Sequence, residues 1–357
     1  MATTKRELFI QDELGDEHVV VPFKYAITSY GADYDVRGIV HRIKDEDIYV
    51  PRFQRGYVWN YHQASRFIET LLLGLPVPGI FLAREAETNR LLVVDGQQRL
   101  KTLLFFYEGV FGPNERAFSL VDVQEQFEGL SYKKLDQQDR RRLDDSILHA
   151  TVIKQDVPSE DDSSIYHVFE RLNTGGTRLQ PQEIRACIYH GEFNEALDDL
   201  NKTKSWRSIF GAVNKRMRDK ELILRYFALL YHSNSYKRPM VEFLNRYMGA
   251  NRHLQKQQFG QLRTDFVEVI DIVFESVGKR AFKPERAFNA AVFDSVMVGI
   301  SRRLSNGRIS KITDVGSKYR ELIKDADFQE VCSTSTSQED RLEKRLKIAT
   351  RYFHEVD

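Results

Sequence analysis

Cysteine is nearly missing from this sequence: Cys187 and Cys332 are the only two in 357 residues, and they stand far apart. So sparse a set fits a reducing compartment and excludes a four-ligand zinc site built on thiolates. Long apolar runs are missing too. None reaches the roughly 18 residues that a membrane-crossing helix needs, and the opening MATTKRELFIQDELGDEH sets charges on both sides of its few apolar residues. A cytoplasmic protein with no membrane partner is the expectation. Charge of one sign is also in short supply, because 53 lysines and arginines meet 52 aspartates and glutamates. A net charge of +1 gives no global pull toward nucleic acid, so any polyanion contact has to come from local patches.

Two chemical signatures are absent as well. No GxxxxGK[ST] occurs, which removes a P-loop enzyme. His62, His149, His167, His190 and His232 are scattered without an HxxxH pair or a cysteine partner, so each reads as structural or surface. What remains is an ordinary soluble composition, 41% hydrophobic and 29% charged, long enough for two cores. The expected fold is α+β: a domain over residues 1–195 with both strands and helices, then an all-α domain over residues 196–357.

The periodicity supports that division. HVVVPFKYAITSYG reads as an edge strand, and Val36, Ile39, Val40 and Ile43 mark one helical face before a strand at Ile48–Val50. Asn60 and Gln63 stand at capping-box spacing ahead of Ala64, Phe67, Ile68, Leu71 and Leu72, and the helix stops at Gly74. Two apolar runs around EAETNR predict a hairpin, SILHATVIKQDV a strand and IYHVFERLN a helix. Beyond about residue 200 the period is helical. KELILRYFALLYH and AFNAAVFDSVMVGISRRL are apolar nearly all round, and Thr336 and Glu339 sit at the spacing of a second capping box.

Three polar stretches interrupt this pattern. In LLVVDGQQRLKTLLFF, residues 91–106, a strand turns into a helix through Asp95, Gly96, Gln97, Gln98 and Arg99. Unpaired N–H groups at a helix start lie at the positive end of its dipole and attract anions. Gly96 lets a ligand approach closely, Arg99 can pair bidentately with phosphate, and Gln97 and Gln98 suit a ribose, a base edge or a water. Asp95 would be repelled by a phosphate unless a cation intervened, which makes it a natural Mg²⁺ ligand. The same letters also describe a plain turn with a solvated helix start.

VPRFQRGYVWN, residues 50–60, sets Gln54 and Arg55 among Phe53, Tyr57 and Trp59. An arginine held between rings is a preorganised anion contact, and the alternative is an aromatic core corner with Arg55 reaching water. FERLNTGGTRLQPQEIR, residues 169–185, offers a backbone nest at Asn173, Thr174, Gly175 and Gly176, with Glu170 and Glu183 as magnesium ligands or general bases. It reads equally as a capping loop followed by a helix whose Glu183 and Arg185 are surface pairs.

Taken in order, PRFQRGYVW, VVDGQQRLKTL and FERLNTGGTRLQPQEIRA resemble the N-terminal domain of GmrSD-type restriction endonucleases, in the ParB/sulfiredoxin-like superfamily, over about residues 30–195. The resemblance implies a ParB/sulfiredoxin-like small mixed sheet with helices, whose DGQQR turn binds a nucleoside triphosphate of unspecified base with Mg²⁺ and often hydrolyses it. Asp95, Gly96, Gln97, Gln98 and Arg99 would cradle the nucleotide, Arg55 with Gln54 would face it, and Glu170 and Asn173 would reach phosphates or metal. Leu179, Pro181 and Glu183 echo a ParB motif ending in Leu-x-Pro-x-Glu. No histidine and asparagine pattern of an HNH nuclease follows residue 200, so a stand-alone sensor acting with a separate nuclease subunit is expected, self-association being left open.

Other readings stay open. The DGQQR turn could grip a DNA phosphate in a non-enzymatic regulatory module, or Asp95, Glu170 and Glu183 could serve a ParB-like nuclease. In the helical half, Lys237, Arg238, Arg246 and Arg252 interleave with Tyr236, Phe243 and Tyr247 in a pattern suited to nucleic-acid backbone contact and base stacking. Solvated helix faces produce such runs too.

Overall fold

A computed structural model describes residues 10–11, 26–50, 57–85, 88–112, 114–157, 163–172, 179–285 and 287–357. The chain is α+β and divides into two compact units: a mixed unit of residues 24–179 with 186–188, and a helical unit that takes residues 180–185 and 189–357 together with a two-residue strand, β1 (Ile10–Gln11).

The mixed unit is built on a five-stranded sheet. Its members are β2 (Ala26–Asp35), β3 (Ile48–Tyr49), β4 (Ile80–Arg84), β5 (Leu91–Asp95) and, beyond a two-stranded ribbon of β6 (Val110–Phe111) and β7 (Arg116–Ala117), β8 (Ile147–Val157). They lie in the order β2-β8-β4-β5-β3, with β2 on one edge. β4 and β5 form the expected antiparallel hairpin, Phe81 opposite Asp95, while β4 runs parallel to β8 with Ile80 beside Ala150. Between these strands come α1 (Val36–Lys44), α2 (Tyr61–Leu72), α3 (Gln97–Glu108) and α4 (Gln137–Asp144). Asn60 caps α2 through the Gln63 N–H, and Gln63 returns the bond to the Asn60 N–H.

Alternation assigns the two faces of the sheet. Leu82, Val93, Leu148 and Val152 point one way into a core shared with Val36, Ile39, Ile68, Leu100 and Leu103. Each such side chain contributes about 1.5–3 kcal/mol on burial. Leu92, Val94 and Ile153 point the other way and are buried as well; α5 (Ser163–Leu172) packs against β5 and β8 and buries Ile165 and Phe169.

The helix α6 (Pro181–Ile188) is divided between the two units. The helical unit then runs through α7 (Glu192–Leu200), α8 (Lys204–Phe210), α9 (Arg218–His232), α10 (Met240–Ala250), α11 (Phe259–Ser276), β9 (Phe288–Asn289), α12 (Ala290–Leu304), α13 (Ile312–Lys324), α14 (Ala326–Ser333) and α15 (Glu339–His354). β1 pairs in parallel with β9. The apolar helices expected to be central are so: α9 packs on α12, and α12 on α15.

One capping expectation fails. α15 begins at Glu339 after Gln338, with no side-chain cap, so Thr336 and Glu339 do not form the second box. The Glu339 carboxylate accepts instead from the Arg238 backbone N–H at 3.1 Å, a bond that holds its pKa below the usual carboxylate range. A long-range donor has displaced the local one.

Candidate functional site

β5 ends at Asp95, and the chain turns into α3 through Gly96, whose φ of 101° lies in the left-handed region. A Cβ at this position would fall 2.4 Å from Ile80 Cγ2, so sterics and backbone conformation both demand glycine. α3 starts without a side-chain cap. Its first internal bond runs from the Leu100 N–H to the Gly96 carbonyl at 3.0 Å, so the N–H groups of Gln98 and Arg99 precede the helical ladder. The positive end of the α3 dipole therefore coincides with the turn.

Arg99 is anchored rather than free. Its guanidinium donates to the carbonyls of Pro78 and Gly79, the latter at 2.9 Å, and to Asp95 Oδ2 at 2.8 Å. Only 12% of the side chain is exposed. The arginine thus clamps the entry of β4 to the exit of β5 and supplies part of the positive charge that Asp95 calls for. Asp95 itself is 44% exposed, and its second carboxylate oxygen accepts no hydrogen bond among the described residues.

Gln98 ties the first two sequence motifs together, because its Oε1 accepts from the N–H groups of Val58 at 2.9 Å and Trp59 at 3.2 Å. Tyr57 shares a hydrogen bond of 2.7 Å with Thr102 and packs edge-on to Phe105 and Phe111. Burial pushes its phenol up to about 12. Trp59 leans on Phe67 in the same manner. This end of the first motif is an aromatic corner that braces the start of α3. Gln54 and Arg55 lie outside the described residues, as do Asn173, Thr174, Gly175 and Gly176. Gln97 is half-buried at the turn; Lys101, one helical turn on, is half-buried too, and desolvation lowers its pKa.

The three carboxylates read from the sequence have separate surroundings. Glu170 sits on α5, partly exposed, with His167 Nδ1 at 3.6 Å. Glu183 belongs to the helical unit, where it is buried; it accepts from the Gln180 N–H at 2.7 Å and pairs with Arg216 at 3.0 Å. Among the described residues no group of three His, Cys, Asp or Glu side chains is placed to hold a metal, so Asp95, Glu170 and Glu183 do not assemble into one. Nor are Glu183 and Arg185 a surface pair. Arg185 is fully buried on Glu221, with Gln182 Oε1 at 2.8 Å and Asn245 Oδ1 at 3.3 Å.

The basic stretch around α10 also differs from its reading as a stacking surface. Lys237, Arg238 and Arg246 are exposed, but Tyr236, Phe243 and Tyr247 are buried, so these rings are closed to bases. Their spacing served the core. Arg252 Nε donates to the His190 carbonyl at 2.6 Å and holds a loop.

Spacing gave no hint of a further pair. His149 Nδ1 lies 2.6 Å from Asp33 Oδ1, the two residues facing each other across β8 and β2. They stand 116 positions apart, and only strand register joins them.

A small mixed sheet whose central hairpin delivers an uncapped helix start, through an obligatory glycine, defines a strand-turn-helix domain. Residues 36–190 match the family model of the GmrSD restriction endonuclease N-terminal domain, and all three polar motifs fall within that span. The chain therefore carries a GmrSD N-terminal domain. Comparison with curated proteins gives no match.

Proposed function

We propose that the DGQQR turn binds the triphosphate tail of a nucleoside triphosphate together with Mg²⁺, hydrolyses it, and thereby acts as the sensing component of a prokaryotic restriction or anti-phage system. The observation that carries this reading is the start of α3: the positive end of a helix dipole at a left-handed glycine, with no side-chain cap and with the N–H groups of Gln98 and Arg99 outside the helical ladder. The restriction role rests on the family match.

The residues present suit a magnesium ion. Mg²⁺ is commonly held by one or two carboxylates with water and substrate phosphates completing its shell, so a three-carboxylate cage is not required. Asp95 has an open oxygen and would be the first ligand; Glu170, in the same unit, would be the second. The ion would neutralise charge on the phosphates. The chain's own part is positional. Arg99 and Gln98 fix the turn, and the amides of Gln97, Gln98 and Arg99 meet the phosphate oxygens. A nuclease built on Asp95, Glu170 and Glu183 loses support, since Glu183 is spent on a helix start and on Arg216 in the other unit.

Calorimetric titration with each of the four nucleoside triphosphates, with and without Mg²⁺, tests the proposal. Magnesium-dependent binding of at least one, with phosphate release, is expected. No binding by any of the four overturns it.

A further inference from the structure

Strand register sets a second chemical group beside the DGQQR turn. Asp33 on β2 pairs directly with His149 on β8, and Ile80 beside Ala150 makes Gly79 the next neighbour of His149 along the same row. The contact is close: a Cβ on Gly79 would lie 2.9 Å from the His149 carbonyl oxygen. Gly79 is also the residue whose carbonyl Arg99 holds, and Gly96 packs against Ile80. One row across the sheet therefore reads Asp33, His149, Gly79, then the turn.

The side chains share a face. Leu148, Ala150, Ile80 and Leu82 belong to the main core and Ala32 and Tyr34 pack against it, so alternation sends Asp33 and His149 to the opposite side, together with the bare Gly79. At the usual strand spacing, two steps across the sheet separate His149 from the start of α3, about 10 Å. A triphosphate tail laid along the row would span much of that gap. Both partners are open to solvent, His149 at 71% and Asp33 at 63%.

We propose that His149 is the general base of the nucleotide hydrolysis, with Asp33 as its positioning residue; this rests on the nucleotide-site reading above. In neutral His149 the Nδ1–H donates to Asp33 Oδ1, which fixes the tautomer and leaves the Nε2 lone pair facing outward. Nε2 takes a proton from water as the water oxygen bonds to the γ-phosphorus. The bond from that phosphorus to the β–γ bridging oxygen breaks, its electron pair leaves on the nucleoside diphosphate, and the imidazolium returns its proton to solvent. A substitution here disturbs the fold little, because both side chains are mostly exposed.

The test compares the full-length wild type with His149→Ala, Asp33→Asn and Asp33→Glu, measuring Mg²⁺-nucleotide binding by calorimetry and phosphate release by steady-state kinetics. His149→Ala is expected to keep its Kd within about twofold while kcat falls about 100-fold, and added imidazole restores part of the loss. Asp33→Asn lowers kcat less, leaves KM unchanged, and is partly corrected in Asp33→Glu. Full-rate turnover by His149→Ala overturns the assignment, as does a wild type that binds nucleotide without releasing phosphate. A wild type that binds no nucleotide fails in the calorimetric arm, which marks the loss of the parent site reading and takes this proposal with it.

Discussion

Arg99 and Arg185 both lie in polar stretches that the sequence sets apart, yet they are used in opposite ways. Arg185 is fully buried in the helical unit and spends its guanidinium on side chains, chiefly Glu221. Arg99, 12% exposed, spends its own mostly on backbone carbonyls at the mouth of a turn. A buried ion pair closes a network on itself. An arginine that grips main chain instead holds a shape. The α3 start is the second kind of place, and polarity alone does not separate it from the first.

Breaking each arginine sharpens that contrast. Arg185→Met takes one of two arginines from Glu221, Arg218 remaining at 3.0 Å, and also strips Gln182 and Asn245 of a donor, so a loss of about 3 kcal/mol in denaturant unfolding is expected; an unchanged midpoint would mean that the network is dispensable. Gly96→Ala forces a left-handed alanine and a collision with Ile80, so about 2–4 kcal/mol is lost, and nucleotide binding goes with it. Arg99→Lys keeps the charge but loses the fork, and a smaller destabilisation of about 1–3 kcal/mol should appear as a lowered Tm.

The smallest effect belongs to the brace behind the turn. Tyr57→Phe removes the bond to Thr102, about 1 kcal/mol by denaturation at neutral pH. Its alkaline behaviour is more telling. Burial raises the Tyr57 phenol from its ordinary value of 10.0 to about 12, so the unfolded chain releases this proton first. The stability tied to it is whole below pH 10.0 and declines as pH rises through about 12. Tyr57→Phe should therefore show a shallower fall across that window, and an identical slope would place the phenol in water.

Much of the fold was legible because period and punctuation agree. Asn60 and Gln63 close the box their spacing announces, and the change from alternating to helical period at Gly96 marks the turn. Where sequence reading failed, a distant partner had intervened. Glu339 is taken by the Arg238 N–H, 101 residues away, and Glu183 by Arg216. Tyr236, Phe243 and Tyr247 show the same limit from the apolar side, since a ring among arginines can face either core or solvent and only packing decides. At the turn, the role of Gly96 follows from local geometry, whereas that of Gln98 does not, since its Oε1 accepts from Val58 and Trp59 in another motif. The anchoring of Arg99 on Pro78 and Gly79, and the meeting of Asp33 with His149, depend on how strands align, which no short motif encodes.

The most direct test follows the backbone amides of Gln97, Gln98 and Arg99 by nitrogen-15 NMR during titration with a Mg²⁺-nucleoside triphosphate. If α3 receives the phosphates, these three resonances move together and saturate with the calorimetric Kd. Nucleotide binding that leaves all three in place would contradict the account.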